Sequence, residues 1–240
     1  MDRTHVIDFH THVLPKMDDG SKSVEMSLEM LRTMRAQGID TVVATPHYYA
    51  RHEEIDRFLE RREHALQRLT DALDGDFPQL ITGAEVAFYF GIEQEHGLDK
   101  LCITGTRTLL LEMPFAPWSD YELNAVAALC FDKNLTVVLA HYERFVGFQK
   151  GNGMLERVLK LPVYVQINAE SLLPFFGGRQ WVKMFEEHRA HLLGSDSHNL
   201  TGRAPNLDKA RAVLQKRLGS EALERVDACA LKLLGLEADA

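Results

Sequence analysis

Seven short apolar runs, at 6–9, 39–44, 80–84, 108–111, 135–140, 163–167 and 191–195, punctuate this chain, and helix-like stretches lie between them. Runs that are apolar on both faces are what parallel strands look like when helices cover them. The alternation therefore restricts the fold to α/β, as a closed barrel or an open doubly wound sheet. The clearest helix lies over 21–37, where Val24, Leu28, Leu31 and Met34 recur at helical spacing and Gly38 offers a cheap left-handed stop. A second spans 53–73, with Ile55, Phe58, Leu59, Leu66 and Leu69 facing inward and Asp74-Gly75-Asp76-Phe77-Pro78 ending it. Further helical segments are expected near 119–133, 151–160, 178–189, 206–218 and 220–235. With 240 residues, 45% hydrophobic and 26% charged, the chain is expected to form one large domain over 1–240.

The residues at the ends of the runs choose between the two architectures. The first run climbs into His10-Thr11-His12, whose imidazoles share a face because side chains alternate along a strand. The next closes on Thr45-Pro46-His47. Later runs deliver Glu85, Glu112 ahead of Pro114, His141, Asn168, and finally Asp196 with His198. A barrel's C-terminal rim converges many strand ends on one spot, whereas an open sheet offers mainly its switch point. The sequence thus predicts a seven-stranded (β/α)7 relative of the TIM barrel.

With Asp19 from the loop after the first run, the candidate ligands are His10, His12, Asp19, His47, Glu85, Glu112, His141, Asp196 and His198. Neutral imidazole and carboxylate suit hard-to-borderline divalent cations, and the absence of cysteine from the set disfavours structural zinc. Nine ligands exceed the needs of one ion, so more than one is expected, with a carboxylate such as Glu85 as the natural bridge. Arg144 and Arg203 follow His141 and His198 within a few residues. A guanidinium presents a planar fork of donors that matches phosphate, and cations plus arginines are the equipment of phosphoryl transfer to water.

Composition narrows the partners. A net charge of −8 argues against a broad nucleic-acid surface. The longest apolar runs fall far short of the ~20 residues a membrane span needs, and no basic-then-apolar signal segment opens the chain, so a cytoplasmic location without membrane insertion is expected. Three widely spaced cysteines, Cys102, Cys130 and Cys229, imply no disulfide framework.

The ordered set Ile7-Asp8-Phe9-His10-Thr11-His12, Asp18-Asp19-Gly20, Thr45-Pro46-His47, Gly83-Ala84-Glu85, Glu112-Met113-Pro114, Ala140-His141-Tyr142-Glu143-Arg144 and Ser195-Asp196-Ser197-His198-Asn199 through Gly202-Arg203 resembles the polymerase-and-histidinol-phosphatase (PHP) superfamily. Within it the chain is similar to the manganese-dependent protein-tyrosine phosphatases of bacterial capsule and exopolysaccharide operons. The resemblance implies a distorted seven-stranded barrel holding three divalent ions, with Mn²⁺ the first expectation and Fe, Zn, Mg or Co the alternatives. It places one ion with His10, His12, Glu85 and Asp196, a second with Glu85, Glu112 and His141, and a third with Asp19, His47 and His198. Arg144 and Arg203 match the family's phosphate-holding arginines. The implied substrate is a phosphotyrosine protein, in the first instance the tail of a bacterial tyrosine kinase, and an oligomer is allowed. Two departures, the lack of Asn-Pro near 226–230 and a longer lead before His5, touch no ligand position and bear on assembly.

On this reading a hydroxide held between metals attacks phosphorus in line and no phosphoenzyme forms. Cysteine-dependent tyrosine phosphatases need five residues between Cys and Arg. Cys102-Ile103-Thr104-Gly105-Thr106-Arg107 has four, so Cys102 is expected to be a loop or core thiol. Tyr48, Tyr49, Phe115 and Trp118 are candidates for an aromatic rim that stacks on the substrate ring. His5, His52, His64, His96, His188 and His191 are read as surface or packing residues. A histidinol-phosphate phosphatase using the same metals, a nuclease and a catalytically silent binding module are the competing readings.

Overall fold

The computed structural model describes residues 5–173 and 178–236. Its strands are β1 (Ile7–Thr11), β2 (Thr41–Ala44), β3 (His47–Tyr48), β4 (Gln79–Thr82), β5 (Glu85–Ala87), β6 (Thr108–Glu112), β7 (Thr136–Leu139), β8 (Tyr164–Asn168) and β9 (Leu192–Gly194). The helices are α1 (Val24–Ala36), α2 (Ile55–Thr70), α3 (Asp120–Phe131), α4 (Met154–Val158), α5 (Arg179–Glu186), α6 (Leu207–Leu218) and α7 (Ser220–Leu234). Local chemistry sets their starts. Ser23 caps α1 by accepting from the Met26 amide, and Ser119 with Glu122 forms a reciprocal capping box on α3.

All strand pairs are parallel. They form a three-stranded sheet in the order β1-β2-β4 and a six-stranded sheet in the order β3-β5-β6-β7-β8-β9. The expected single seven-stranded barrel is therefore not what the strand pairing describes, because two of the seven runs are each cut in two. Pro46, which has no N–H to give a ladder, separates β2 from β3, and Gly83-Ala84 separates β4 from β5. Backbone bonds cross these breaks, from Gly83 N to Ala44 O (2.9 Å) and from Glu85 N to Pro46 O (3.1 Å). The two sheets also meet at their other edges, where Asp196 N donates to His10 O (2.8 Å) and His12 N to Ser197 O (2.9 Å). A second departure lies between β5 and β6. That crossover carries only two 3₁₀ turns, Ile92–Gln94 and Leu98–Leu101, each entered through a glycine at positive φ, Gly91 and Gly97.

β1 and β6 are buried along their whole length, and the polar residues they carry, Asp8, His10, Thr11, Thr108 and Glu112, are buried with them. Ile7, Phe9, Val43, Leu110, Val138 and Leu192 form a buried cluster with Ala230, Leu233 and Leu234 of α7. Thr108, at the start of β6, donates its hydroxyl to Leu233 O (2.9 Å). α7 thus covers the N-terminal ends of the strands and leaves the C-terminal ends to the polar residues. The register of β1 slips between Asp8 and Thr11, a bulge of the kind that re-aims side chains beside functional sites.

Candidate metal centre

Every strand-end residue expected from the sequence converges on the C-terminal rim. Glu85, the first residue of β5, stands at the middle. Its Oε2 lies 3.1 Å from His10 Nε2, 3.2 Å from His12 Nε2 and 3.0 Å from His47 Nδ1, while its Oε1 lies 2.5 Å from His141 Nε2. Glu112 at the end of β6 reaches His141 Nε2 at 3.4 Å. Asp196 Oδ1 sits 3.3 Å from His12 Nε2, 3.5 Å from His198 Nδ1 and 3.7 Å from His10 Nε2. Asp19 Oδ1 approaches His198 Nε2 at 3.2 Å and His47 Nε2 at 3.7 Å.

Three ligand groups have donor atoms close enough to share an ion: His12 with Asp19, His47 and His198; His10 with His12 and Glu85; and His47 with Glu85 and Glu112. They differ in detail from the three implied ligand sets. His12 and His47 each belong to two groups, and Asp196 and His141 lie just outside the groups beside which they were expected.

The chemistry of this donor set fits divalent cations better than an ordinary polar core. His47 Nδ1, His141 Nδ1, His198 Nε2 and Asp196 Oδ1 are buried without a hydrogen-bond partner, although Glu85 lies 3.0 Å from the first and Asp19 3.2 Å from the third. Close approach without hydrogen-bond alignment is how two ligands of one ion meet, and buried polar atoms are otherwise almost always paired. With acceptors at both Nδ1 atoms, Gln166 Oε1 for His10 and Asp18 Oδ2 for His12, the neutral rings turn unprotonated Nε2 atoms toward each other at 3.1 Å, a contact that a shared cation would relieve.

Two of the strand-end residues sit in backbone conformations that side chains other than glycine seldom adopt, His141 at φ 30° and Asp196 at φ 51°. Such strain persists where surrounding structure imposes it, and here it turns both side chains toward the cluster. Glycines make room for the close packing. A Cβ on Gly20 would stand 2.3 Å from His12 O, and one on Gly194 would stand 2.6 Å from His10 Cβ.

Electrostatics follow from crowding imidazoles against carboxylates. Burial opposes ionisation of Glu85, yet His10, His141 and His47 outweigh it and hold the carboxyl well below its usual range. Burial likewise works against a charged His12, but Asp18 overcomes it and lifts that imidazole well above its ordinary value. His141 is raised to about 10, with Glu85 winning over burial. His198 moves the other way, to about 4, through burial and the neighbouring His12.

Sequence reading assigned no role to the residues that hold these side chains in place, although Asp18 and Asn168 lie in its motifs and strand ends. Asp18 Oδ2 accepts from the His47 amide at 2.9 Å and pairs with His12 Nδ1 at 2.7 Å, which leaves His12 Nε2 to face the cluster. Gln166 Oε1 contacts His10 Nδ1 (3.2 Å) and accepts from the His141 amide (2.8 Å). The Gln166 amide donates to Asn168 Oδ1, and Asn168 Nδ2 donates to Asp196 Oδ2. The available signal was Gln166, a polar residue inside the apolar run 163–167.

Arg144 and Arg203 both reach Asp196 Oδ2, at 2.9 Å and 2.7 Å, so the two guanidiniums flank one side of the cluster. Two of the four aromatic candidates for the rim are spent on packing. Tyr48 is buried against Phe58, and Trp118 is buried against Phe145 with its indole N–H on Pro114 O (2.9 Å). Tyr49 stacks on His47 (centroids 5.2 Å apart) and Phe115 on His141 (6.0 Å), and Phe115 is joined by the exposed Phe148, which the sequence had not suggested.

Against known proteins, residues 6–230 match the capsular polysaccharide synthesis family CpsB/CapC. The chain belongs to the CpsB/CapC family. Among its relatives are the tyrosine-protein phosphatase YwqE of Bacillus subtilis, 30% identical over 90% of this chain and 86% of the relative, and the tyrosine-protein phosphatase CpsB of Streptococcus pneumoniae, 27% identical over 90% and 92%. A crystal structure reported for YwqE and CpsB, described as unique metal-dependent tyrosine phosphatases, covers 98% of this chain and 96% of its own with a TM-score of 0.82 at 29% identity. Family membership therefore spans the rim and its supporting strands alike. Among the described residues, no helix of this CpsB/CapC member is long and apolar enough to cross a membrane.

Proposed function

We propose that the chain is a metal-dependent protein-tyrosine phosphatase that cleaves phosphotyrosine directly with water. The observation that carries this reading is the convergence of nine imidazole and carboxylate side chains with Arg144 and Arg203 on one rim, in a family whose relatives are named for that activity. Three divalent ions, Mn²⁺ in the first instance, would be held by His10, His12, Glu85 and Asp196, by Glu85, Glu112 and His141, and by Asp19, His47 and His198. When bound, such ions supply the positive charge that lowers the pKa of water and offsets charge gathering on the phosphoryl group.

The protein's own groups supply the remainder. Arg144 and Arg203, already aimed at the Asp196 carboxylate, would exchange that anion for phosphoryl oxygens and neutralise them in the transition state. Asp18 and Gln166 fix the ring orientation of His12 and His10, so that the ligand atoms need no rearrangement. Phe115 and Tyr49 flank the rim and give an aromatic leaving group a surface to stack on, which favours phosphotyrosine over an alkyl phosphate such as histidinol phosphate. We read the two sheets as one interrupted seven-stranded barrel forming a single domain over 1–240, because backbone bonds bridge each break. The substrate is assigned to a phosphotyrosine protein of capsule synthesis, in the first instance the tail of a bacterial tyrosine kinase, with the reaction in the cytoplasm.

The test is hydrolysis of a phosphotyrosine peptide and of histidinol phosphate across a Mn²⁺ titration, with Arg203→Ala alongside. Mn²⁺-dependent turnover of the peptide, abolished by chelator and weakened in the variant, is expected. Preferential turnover of histidinol phosphate, or activity untouched by chelator, overturns the assignment.

A further inference from the structure

Two adjoining cavities run along one face of α2, beginning at the edge of the metal-ligand cluster. The first, about 490 Å³, is lined by Asp19, His47, Tyr49, His52, Arg57 and Arg61 among others. The second, about 110 Å³, shares Arg61 with it and adds Lys16, His64 and Arg68. Arg57, Arg61, His64 and Arg68 stand at i, i+4, i+7 and i+11, so they make a single stripe on the helix, and all four are exposed. On a chain of net charge −8 this basic stripe, bordered by the exposed Glu60 of the same helix, starts beside the cluster and leads away from it.

The stripe is not spent on internal pairing. Arg61 is anchored, donating to Met17 O at 2.7 Å and to Glu53, and this fixes the wall between the two cavities. Arg57 and His64 make no hydrogen bond or ion pair among the described residues. The carboxylates on the cavity side are committed elsewhere, Asp18 and Asp19 to histidines and Glu53 to Arg61. Glu25 is the acid facing Arg68 and Lys16 at the far end.

We infer that this stripe is a docking track for acidic residues flanking the substrate phosphotyrosine. The identity of the anchored residue rests on the phosphatase reading, whereas the charge preference rests on the stripe. From residue 57 to residue 68 the helix rises about 16 Å, which an extended peptide covers in about five residues. The track therefore reads acidic side chains within that reach of the scissile group. It acts on affinity and encounter, as exposed complementary charges do, and its effect is screened by salt.

The experiment uses the full chain loaded with Mn²⁺ and two labelled phosphotyrosine peptides of equal length. One carries Asp and Glu on both sides of the phosphotyrosine, and the other carries Asn and Gln at the same positions. Binding is read by fluorescence anisotropy and turnover is followed in parallel, for the wild type and for the Arg57→Glu, Arg68→Glu double variant, with thermal unfolding as the check on folding. The acidic peptide is expected to bind about 10-fold more tightly at low salt, and this preference should fall toward unity at about 0.5 M salt and in the double variant. Equal affinities in the wild type, or a preference that survives charge reversal in a folded variant, overturn the proposal. A preserved binding preference without turnover of either peptide would support the track while rejecting the phosphatase reading.

Discussion

The inner and outer parts of the rim are built differently. At the inner part, His10, His12 and Glu85 are sealed from solvent, and Gln166 and Asp18 brace the two histidines. At the outer corner His47 and His198 meet Asp19, which comes from a loop and is 63% exposed, and no described side chain beyond the cluster and Arg203 holds its carboxylate. The same ligand chemistry thus sits once on rigid strands and once half on a loop. Rigid, desolvated ligands hold an ion without reorganising, whereas a ligand that must be ordered on binding gives up part of its affinity. The inner set is expected to retain its ion and the outer set to exchange it.

Breaking the inner set should do most damage. Glu85→Gln removes the one carboxylate within reach of His10, His12, His47 and His141. Loss of a shared ligand is expected to lower kcat/KM by on the order of 10³-fold, as several kcal/mol of transition-state stabilisation disappear. Metal content by elemental analysis should fall by more than one ion per chain. If the variant keeps its full metal complement and activity, the inner set is not the anchor of the site.

Asp18→Asn tests the link between the parts, because this carboxylate pairs with His12 of the inner set and accepts the backbone amide of His47 at the outer corner. Removing the charge weakens the acceptor that fixes the His12 tautomer, and a loss of about 10–100-fold in metal affinity follows from the behaviour of such supporting groups. The Mn²⁺ concentration for half-maximal activity is the readout. Asp19→Ala should have the smaller effect, about a 10-fold rise in that concentration with most of kcat recovered at saturating Mn²⁺. Equal and unrecoverable losses in Asp19→Ala and Glu85→Gln would erase the distinction between inner and outer sets.

The difference between the two parts also explains what the sequence could reveal. Glu112 was legible because an apolar run ends on an acid one residue before Met113-Pro114, and His10-Thr11-His12 because an i, i+2 pair closes a strand. The strand-end set needed only residue type and position. Asp18 and Gln166 needed contact information, since the bond from Gln166 to His10 spans 156 positions. The positive φ of His141 and Asp196 leaves no mark in composition. Pro46 was read as the end of a strand, and it is an interruption, after which β3 resumes with His47 itself. Tyr48 and Trp118 were candidates for the rim because they follow ligand-bearing runs, but Phe58 of α2 and Phe145, from the turn after β7, pack against them.

The smallest expected effect concerns the thiols, and it separates this rim from a cysteine nucleophile. Burial pushes Cys102 up to about 12, and the same desolvation takes Cys130 and Cys229 to about 11. A thiol whose pKa is raised stays protonated until pH climbs to that value, so at pH 8 the Cys102 thiolate fraction is on the order of 10⁻⁴. A catalytic thiolate needs the opposite shift, and Cys102 lies on the crossover before β6, outside every ligand group at the rim. Prolonged iodoacetamide treatment at pH 8 should therefore leave peptide hydrolysis within about 20% of the untreated rate, as the thiol has no part in binding or transfer. Mass spectrometry of the same samples should show slow labelling of all three cysteines, with Cys102 slowest. Rapid labelling of Cys102 accompanied by matching loss of activity would place the chemistry on sulfur and remove the rim from the reaction.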